Sequence, residues 1–212
     1  MRNGKSVSLL SLEELTTYTT PHNYLQAVME VLKKLPVSRI TDVVDILFEA
    51  YIKDRALYVF GNGGSAALAS HVACDLGKGT MMPGLKPFRV ISLCDNIALI
   101  TAWANDTSYE EIFAAQLRSF VEPGDIAFAI SGSGNSPNVL NALKGSREAG
   151  GYNIGLTGFA GGKMEALCDC CIVVPSQQMQ HIEDSHVCVM HSVFLAFRER
   201  VLSATHLRAA SM

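Results

Sequence analysis

An α/β fold, a five-stranded parallel sheet flanked by helices, is the architecture this sequence predicts, and three observations carry it. Short apolar runs recur at 56–60, 88–93, 125–130, 153–157 and 171–174. Segments with helical character alternate with them at 66–76, 96–104, 109–121, 137–149 and 164–167, an order that implies a parallel sheet with crossover helices. Two loops rich in glycine and serine, Gly61-Asn62-Gly63-Gly64-Ser65 and Ser131-Gly132-Ser133-Gly134-Asn135-Ser136, each follow a predicted strand and precede a helix. In open sheets of this kind ligands bind beyond the carboxyl ends of the strands, where both loops would lie.

The elements follow in order. Ser11-Leu12-Glu13-Glu14 fits a capping box, and Thr20 before Pro21 fits a second helix start. Ile40, Val43, Val44, Leu47 and Tyr51 then repeat at helical spacing, one apolar stripe that needs either its own sheet or another subunit to cover it. A last helix is expected from about residue 178 to 203. No repeat, low-complexity tract or linker interrupts the chain, so residues 1–212 read as one domain with residues 1–54 as an N-terminal helical arm.

Composition excludes several classes. With 49% hydrophobic and 17% charged residues the chain is too apolar for disorder, and its apolar runs are too interrupted for a membrane protein. A formal charge of −3 removes a general electrostatic case for nucleic-acid binding. Six cysteines without disulfide spacing, and no apolar core after the first residues, point to a reducing cytoplasm. Cys168-Asp169-Cys170-Cys171 lacks a second cysteine pair at zinc-ribbon spacing and runs into a strand, so buried thiols are expected.

The two loops read as a phosphate cradle with hydroxyl donors. Glycines let the backbone approach an anion, helix starts favour negative charge, and serines add donors without charge. Ser131, Ser133, Asn135 and Ser136 cluster in the second loop, with Ser136 as expected N-cap and Pro137 as first helical residue. Gly61-x-Gly63-x-x-Ala66 also matches a dinucleotide fingerprint, but the acidic partner, Asp95, lies too far along, and the second loop would have no task; no nucleotide cofactor is expected. The second loop fails the nucleophile-elbow pattern, and Gly77-Lys78-Gly79-Thr80 lacks P-loop spacing.

His71 and Asp75, four apart, share one face of the helix after the first loop. The last helix carries His181, Glu183, Asp184, His186 and His191 among apolar residues, polar groups that must be paired, solvated or functional. His71, Asp75, Glu183 and His191 form a mixed nitrogen and oxygen set that would suit zinc or another divalent ion, if the two helices meet.

Together, Gly61 to Ser65 with His71, Asn105-Asp106, Ser131-x-Ser133-Gly134-Asn135-Ser136, Thr157-Gly158-x-x-Gly161-Gly162 and His191 make the chain resemble the sugar isomerase (SIS) domain family, within it the phosphoheptose isomerases. The resemblance implies a flavodoxin-like three-layer sandwich, a homotetramer with sites shared between subunits, and conversion between sedoheptulose 7-phosphate and a mannoheptose 7-phosphate. It places Asn62, Gly63, Gly64, Ser65, Ser131, Gly132, Ser133 and Ser136 around the sugar phosphate, Asn105 and Asp106 near the sugar, and Glu183 in the substrate site. It implies Asp75 as base and His191 as acid for an enediol proton transfer. Zinc ligation in the family corresponds to His71, Asp75, Glu183 and His191.

Three positions depart from the pattern. Asp75 stands where the family has glutamate, Glu183 where it has glutamine, and Gly132 where a threonine is usual. A non-enzymatic branch of adaptors that bind the bacterial replication initiator is the alternative implied by the resemblance. That branch lacks the carboxylate at 75 and the histidine at 191, and this chain has both.

Overall fold

The computed structural model describes residues 20–81 and 85–210, with side chains described through residue 204. The predicted capping box at Ser11 to Glu14 lies outside the described residues. Helix α1 (Pro21–Leu32) begins at Thr20, whose Oγ1 accepts from the Asn23 N–H, and α2 (Val37–Ile52) follows. Then β1 (Leu57–Gly61), α3 (Gly64–Gly79), β2 (Val90–Ser92) and α4 (Ile97–Asp106) alternate. A 3-10 turn (Tyr109–Glu111), α5 (Ala114–Phe120), β3 (Ile126–Ser131) and α6 (Pro137–Glu148) come next. The chain closes with β4 (Tyr152–Thr157), a 3-10 turn (Glu165–Leu167), β5 (Cys170–Val173) and the long α7 (Met179–Ala210).

All five strands pair in parallel in the order β2-β1-β3-β4-β5. The chain reverses its direction of winding between β1 and β3, so the loops after these neighbouring strands open side by side at the switch point. Alternate residues along each strand feed two cores. Leu57, Val59, Ile126, Phe128 and Ile130 face one layer, formed by α2, α3 and α7. Tyr58, Phe60, Ala127 and Ala129 face the other, with Leu93, Phe113, Leu117, Val139 and Leu143.

The α2 stripe finds its cover on the protein's own sheet: Val43, Val44, Leu47 and Ala50 are buried in the first core. Several expected elements differ: the segment expected as helix over 164–167 forms a single 3-10 turn, and the last helix runs on to Ala210. The helix expected over 109–121 breaks, because Ile112 and Phe113 turn into the second core, where the Phe113 ring lies 5.3 Å from Phe60. The edge strand β2 shrinks to three residues. Of the thiols expected to be buried, only Cys170 is; Cys168 and Cys171 are half-buried, and all are free. Among the described residues, no helix is long and apolar enough to cross a membrane.

Candidate active site

The two loops meet where β1 and β3 end. Helix α3 starts from Gly63, at φ +55° and with no side chain to cap it. Ser136 takes the N-cap position of α6, but its hydroxyl makes no capping bond; it faces Ser131 Oγ at 3.4 Å instead. Neither helix is capped by the side chain of its N-cap residue: the Ser65 and Ala66 N–H groups donate to the Asn62 and Gly63 carbonyls and the Val139 N–H to Asn138 Oδ1, whereas α4, outside the loops, is capped by Asn96 on the Leu99 N–H at 3.1 Å. Ser65 and Ser131 are buried and Ser133 and Ser136 half-buried.

A third loop locks the second. Thr157 Oγ1 donates to the Gly132 carbonyl (3.3 Å), the Met164 N–H to the Gly134 carbonyl (2.9 Å), and the Lys163 N–H to Asn135 Oδ1 (3.1 Å). A Cβ on Gly162 would sit 2.6 Å from the Gly134 carbonyl oxygen, so the backbones touch where only glycine fits. This gives Gly158-x-x-Gly161-Gly162 a structural task. Gly132 has its own constraint: a Cβ there would lie 2.5 Å from Met179 Sδ, which fills the volume a threonine would need.

Two turns along α3 from the first loop, His71 and Asp75 face His191 of α7. His71 Nε2 lies 3.1 Å from Asp75 Oδ2 and 3.2 Å from His191 Nε2, and His191 Nε2 lies 3.9 Å from the same carboxylate oxygen. These ligand atoms all fall within 4.8 Å of one another. Two imidazole nitrogens at 3.2 Å need a proton or a cation between them, since two lone pairs repel. Two imidazole nitrogens and one carboxylate oxygen, with side chains 28–50% exposed, form a donor set that could hold a metal ion.

Glu183 does not join this cluster. It lies eight residues before His191, roughly 12 Å back along α7. Its Oε1 is 3.4 Å from where a Cβ on Gly64 would be, and it lines a cavity of about 210 Å³ with Ser65, Asp184 and His186. Asp184 accepts from the Tyr24 hydroxyl at 2.6 Å, and burial together with that carboxylate pushes the tyrosine up to about 12. His186 is buried; desolvation lowers it to about 4 against a bond to the Thr157 carbonyl, so it is neutral at pH 7. Asn105 and Asp106 sit exposed at the end of α4, Asn105 Nδ2 donating to Asp106 Oδ1 at 2.8 Å, and among the described residues neither side chain bonds to the loops.

Sequence reasoning missed Asn138, a buried side chain on α6 that pairs with Asn62, and Tyr109, whose hydroxyl reaches the same Asn62. The only signal available was an asparagine two residues after Ser136, and an asparagine on a helix ordinarily reads as solvated.

An α/β protein whose two glycine-serine loops meet at the sheet's switch point, with a histidine-aspartate-histidine cluster where α3 faces α7, is the class this fold and site define. Residues 22–158 match the SIS domain family, and the chain belongs to it. It is similar to the phosphoheptose isomerase of Pelobacter propionicus, 36% identical over 84% of this chain and 94% of that one. It is also similar to that of Rhodospirillum rubrum, 45% identical over 62% and 69% of the two chains. The solved structure of phosphoheptose isomerase GmhA from Neisseria gonorrhoeae superposes with a TM-score of 0.79 at 26% identity, covering 89% of this chain and all of that one.

Proposed function

We propose that this protein is an aldose-ketose isomerase that interconverts sedoheptulose 7-phosphate and D-glycero-D-manno-heptose 7-phosphate. The observation that carries the reading is that one helix, α3, bears the first loop at its start and two members of the acid-base cluster further on. Gly64 and His71 are seven residues apart, roughly 10 Å along the axis. Seven extended carbons with a phosphate ester, at about 1.5 Å per C–C bond, cover a comparable length. A substrate anchored by its phosphate at the loops would thus bring its first two carbons to the cluster.

In this reading Ser65, Ser131, Ser133 and Ser136, with the positive ends of the α3 and α6 dipoles, hold the phosphate, and Asn62 donates to a substrate oxygen. Asp75 takes the proton from C1 of the ketose while His191 gives one to the C2 oxygen, forming the enediol. Return of the carbon-bound proton to C2, with loss of the C1 hydroxyl proton, completes the aldose. His71, Asp75 and His191 would hold zinc or another divalent ion, which supplies polarisation of the sugar oxygens when bound. Glu183, at the mouth of the first loop, contacts the sugar in this arrangement.

The reading extends to a homotetramer with shared sites, in the cytoplasm. The tetramer is supported by α4, an apolar helix with no fully buried residue, where Ile97 at its start is 72% exposed and Asn105 and Asp106 stand exposed at its end. A neighbouring subunit covering α4 would carry those two side chains toward a sugar.

The test is to mix sedoheptulose 7-phosphate with the protein and follow the aldose by NMR, with added zinc and with chelator. Interconversion is expected, with activity lost in chelator and restored by the ion. No interconversion under any of these conditions rejects the isomerase; capture of a protein partner without turnover would favour an adaptor instead.

A further inference from the structure

Two amide side chains that the proton transfer does not use join the phosphate loops. Asn62 lies in the first loop and Asn138 in the first turn of α6, directly after the second. The Val139 N–H donates to Asn138 Oδ1 at 2.9 Å. A backbone N–H can only donate, so this contact fixes which end of the Asn138 amide is oxygen. The same oxygen accepts from Asn62 Nδ2 at 2.9 Å, and Asn138 Nδ2 donates back to Asn62 Oδ1 at 2.8 Å. Tyr109, itself 57% exposed, donates its hydroxyl to Asn62 Oδ1 at 3.0 Å.

The orientation of Asn62 is therefore dictated from a backbone group two residues outside it in the chain of bonds. Both acceptor positions of its oxygen are filled, while the second Nδ2 hydrogen has no partner among the described residues. We propose that Asn138, assisted by Tyr109, is a positioning residue for the sugar-phosphate pocket: it clamps the two loops together and fixes Asn62 as a donor to a phosphate or hydroxyl oxygen of the ligand. The clamp rests on the phosphosugar reading above and adds to it a polarity: Asn62 has a hydrogen to give and no oxygen free to receive one. Asn138, at 2% exposure, also has no water to replace a lost partner.

Asn138→Asp and Tyr109→Phe, made in the full chain, test this by isomerase kinetics and by binding of sedoheptulose 7-phosphate. Aspartate keeps the acceptor for the Val139 N–H and for Asn62 Nδ2 but sets an oxygen against Asn62 Oδ1, which turns the amide away. KM is expected to rise about tenfold in Asn138→Asp, with a smaller fall in kcat, and two- to threefold in Tyr109→Phe. A purely structural asparagine would lower the melting temperature and leave KM unmoved, and that outcome overturns the clamp. Should Asn138→Asp fail to fold, an unchanged KM in Tyr109→Phe, a substitution on the surface, overturns it instead. Wild-type protein that binds the sugar phosphate without converting it rejects the isomerase reading alone; the clamp is then judged by affinity, where an unweakened Asn138→Asp overturns it.

Discussion

At one end of the site the groups are tied down, and at the other they stand open. Around the loops, Asn62 is bonded from two sides, Thr157 holds the Gly132 carbonyl, and glycine backbones press against each other near Gly162. Along α3 and α7, His71, Asp75 and His191 are partly exposed and meet one another's polar atoms. The first arrangement holds its groups in fixed orientations through bonds within the chain. The second gathers two imidazoles and a carboxylate whose charge balance depends on their protonation. Binding and chemistry thus depend on different physics, and perturbations should separate them.

The largest separation is expected from Asp75→Asn. If Asp75 is the base, turnover should fall by about 10²- to 10⁴-fold, the usual worth of a positioned acid or base, while sugar-phosphate affinity stays within a few fold. Kinetics and calorimetric binding on one preparation check both halves, and unchanged turnover removes Asp75 from the role. Asp75→Glu sharpens the point. Lengthening the side chain by one methylene shifts the carboxylate by roughly 1 Å, enough to change kcat by about a hundredfold in either direction if position rather than charge is limiting.

His186 offers a test of the tied end by pH. Its folded value, about 4, lies below the ordinary histidine value, so the unfolded chain binds the proton more readily and stability rises with pH between about 4 and 6.5. Above that window the contribution is fully present. Going from pH 7.5 to pH 5 should remove about 2 kcal/mol by this route. Urea unfolding of wild type and His186→Gln at both values isolates it: the loss should be smaller in the variant by about that amount, and equal losses would show that His186 is not the source.

Gly132 and Met179 test whether this departure at the second loop is packing or chemistry. A side chain at 132 meets Met179 Sδ, so Gly132→Thr alone should destabilise the protein by roughly 1–3 kcal/mol through overpacking. Met179→Ala opens the volume, and the double variant should recover much of that loss while adding the hydroxyl back to the loop. Additive thermal shifts in the single and double variants would mean that the two side chains do not compete for space.

How far the sequence disclosed this follows the same division. The loops were legible because strand, glycine-serine turn and helix start are local patterns, and the sheet because its runs are continuous and short. His71 and Asp75 were legible as an i, i+4 pair. His191 could be joined to them only on the condition that the two helices meet, since the crossing of α3 and α7 is tertiary. The same limit left Glu183 grouped with the cluster, although helical rise separates it from His191 by two turns. Asn138 stayed hidden because the pattern that marks a buried polar side chain is its partner, and Asn62 lies 76 residues away. The break at Ile112 and Phe113 shows the converse: apolar docking overrode a helical pattern that was locally sound.

The smallest effect, and the one that discriminates most finely within the tied end, is expected at Ser136. Sequence position makes it an N-cap, and removal of a capping hydroxyl ordinarily costs about 1 kcal/mol of stability. Here the hydroxyl makes no capping bond and instead faces Ser131 across 3.4 Å. Ser136→Ala should therefore leave the melting temperature nearly unchanged and weaken phosphosugar binding, by about tenfold if the hydroxyl donates to a charged phosphate oxygen. A thermal melt and a binding isotherm on the same variant suffice. Destabilisation with affinity intact would return Ser136 to an ordinary helix cap; weakened binding at full stability would place the hydroxyl where the ligand needs it.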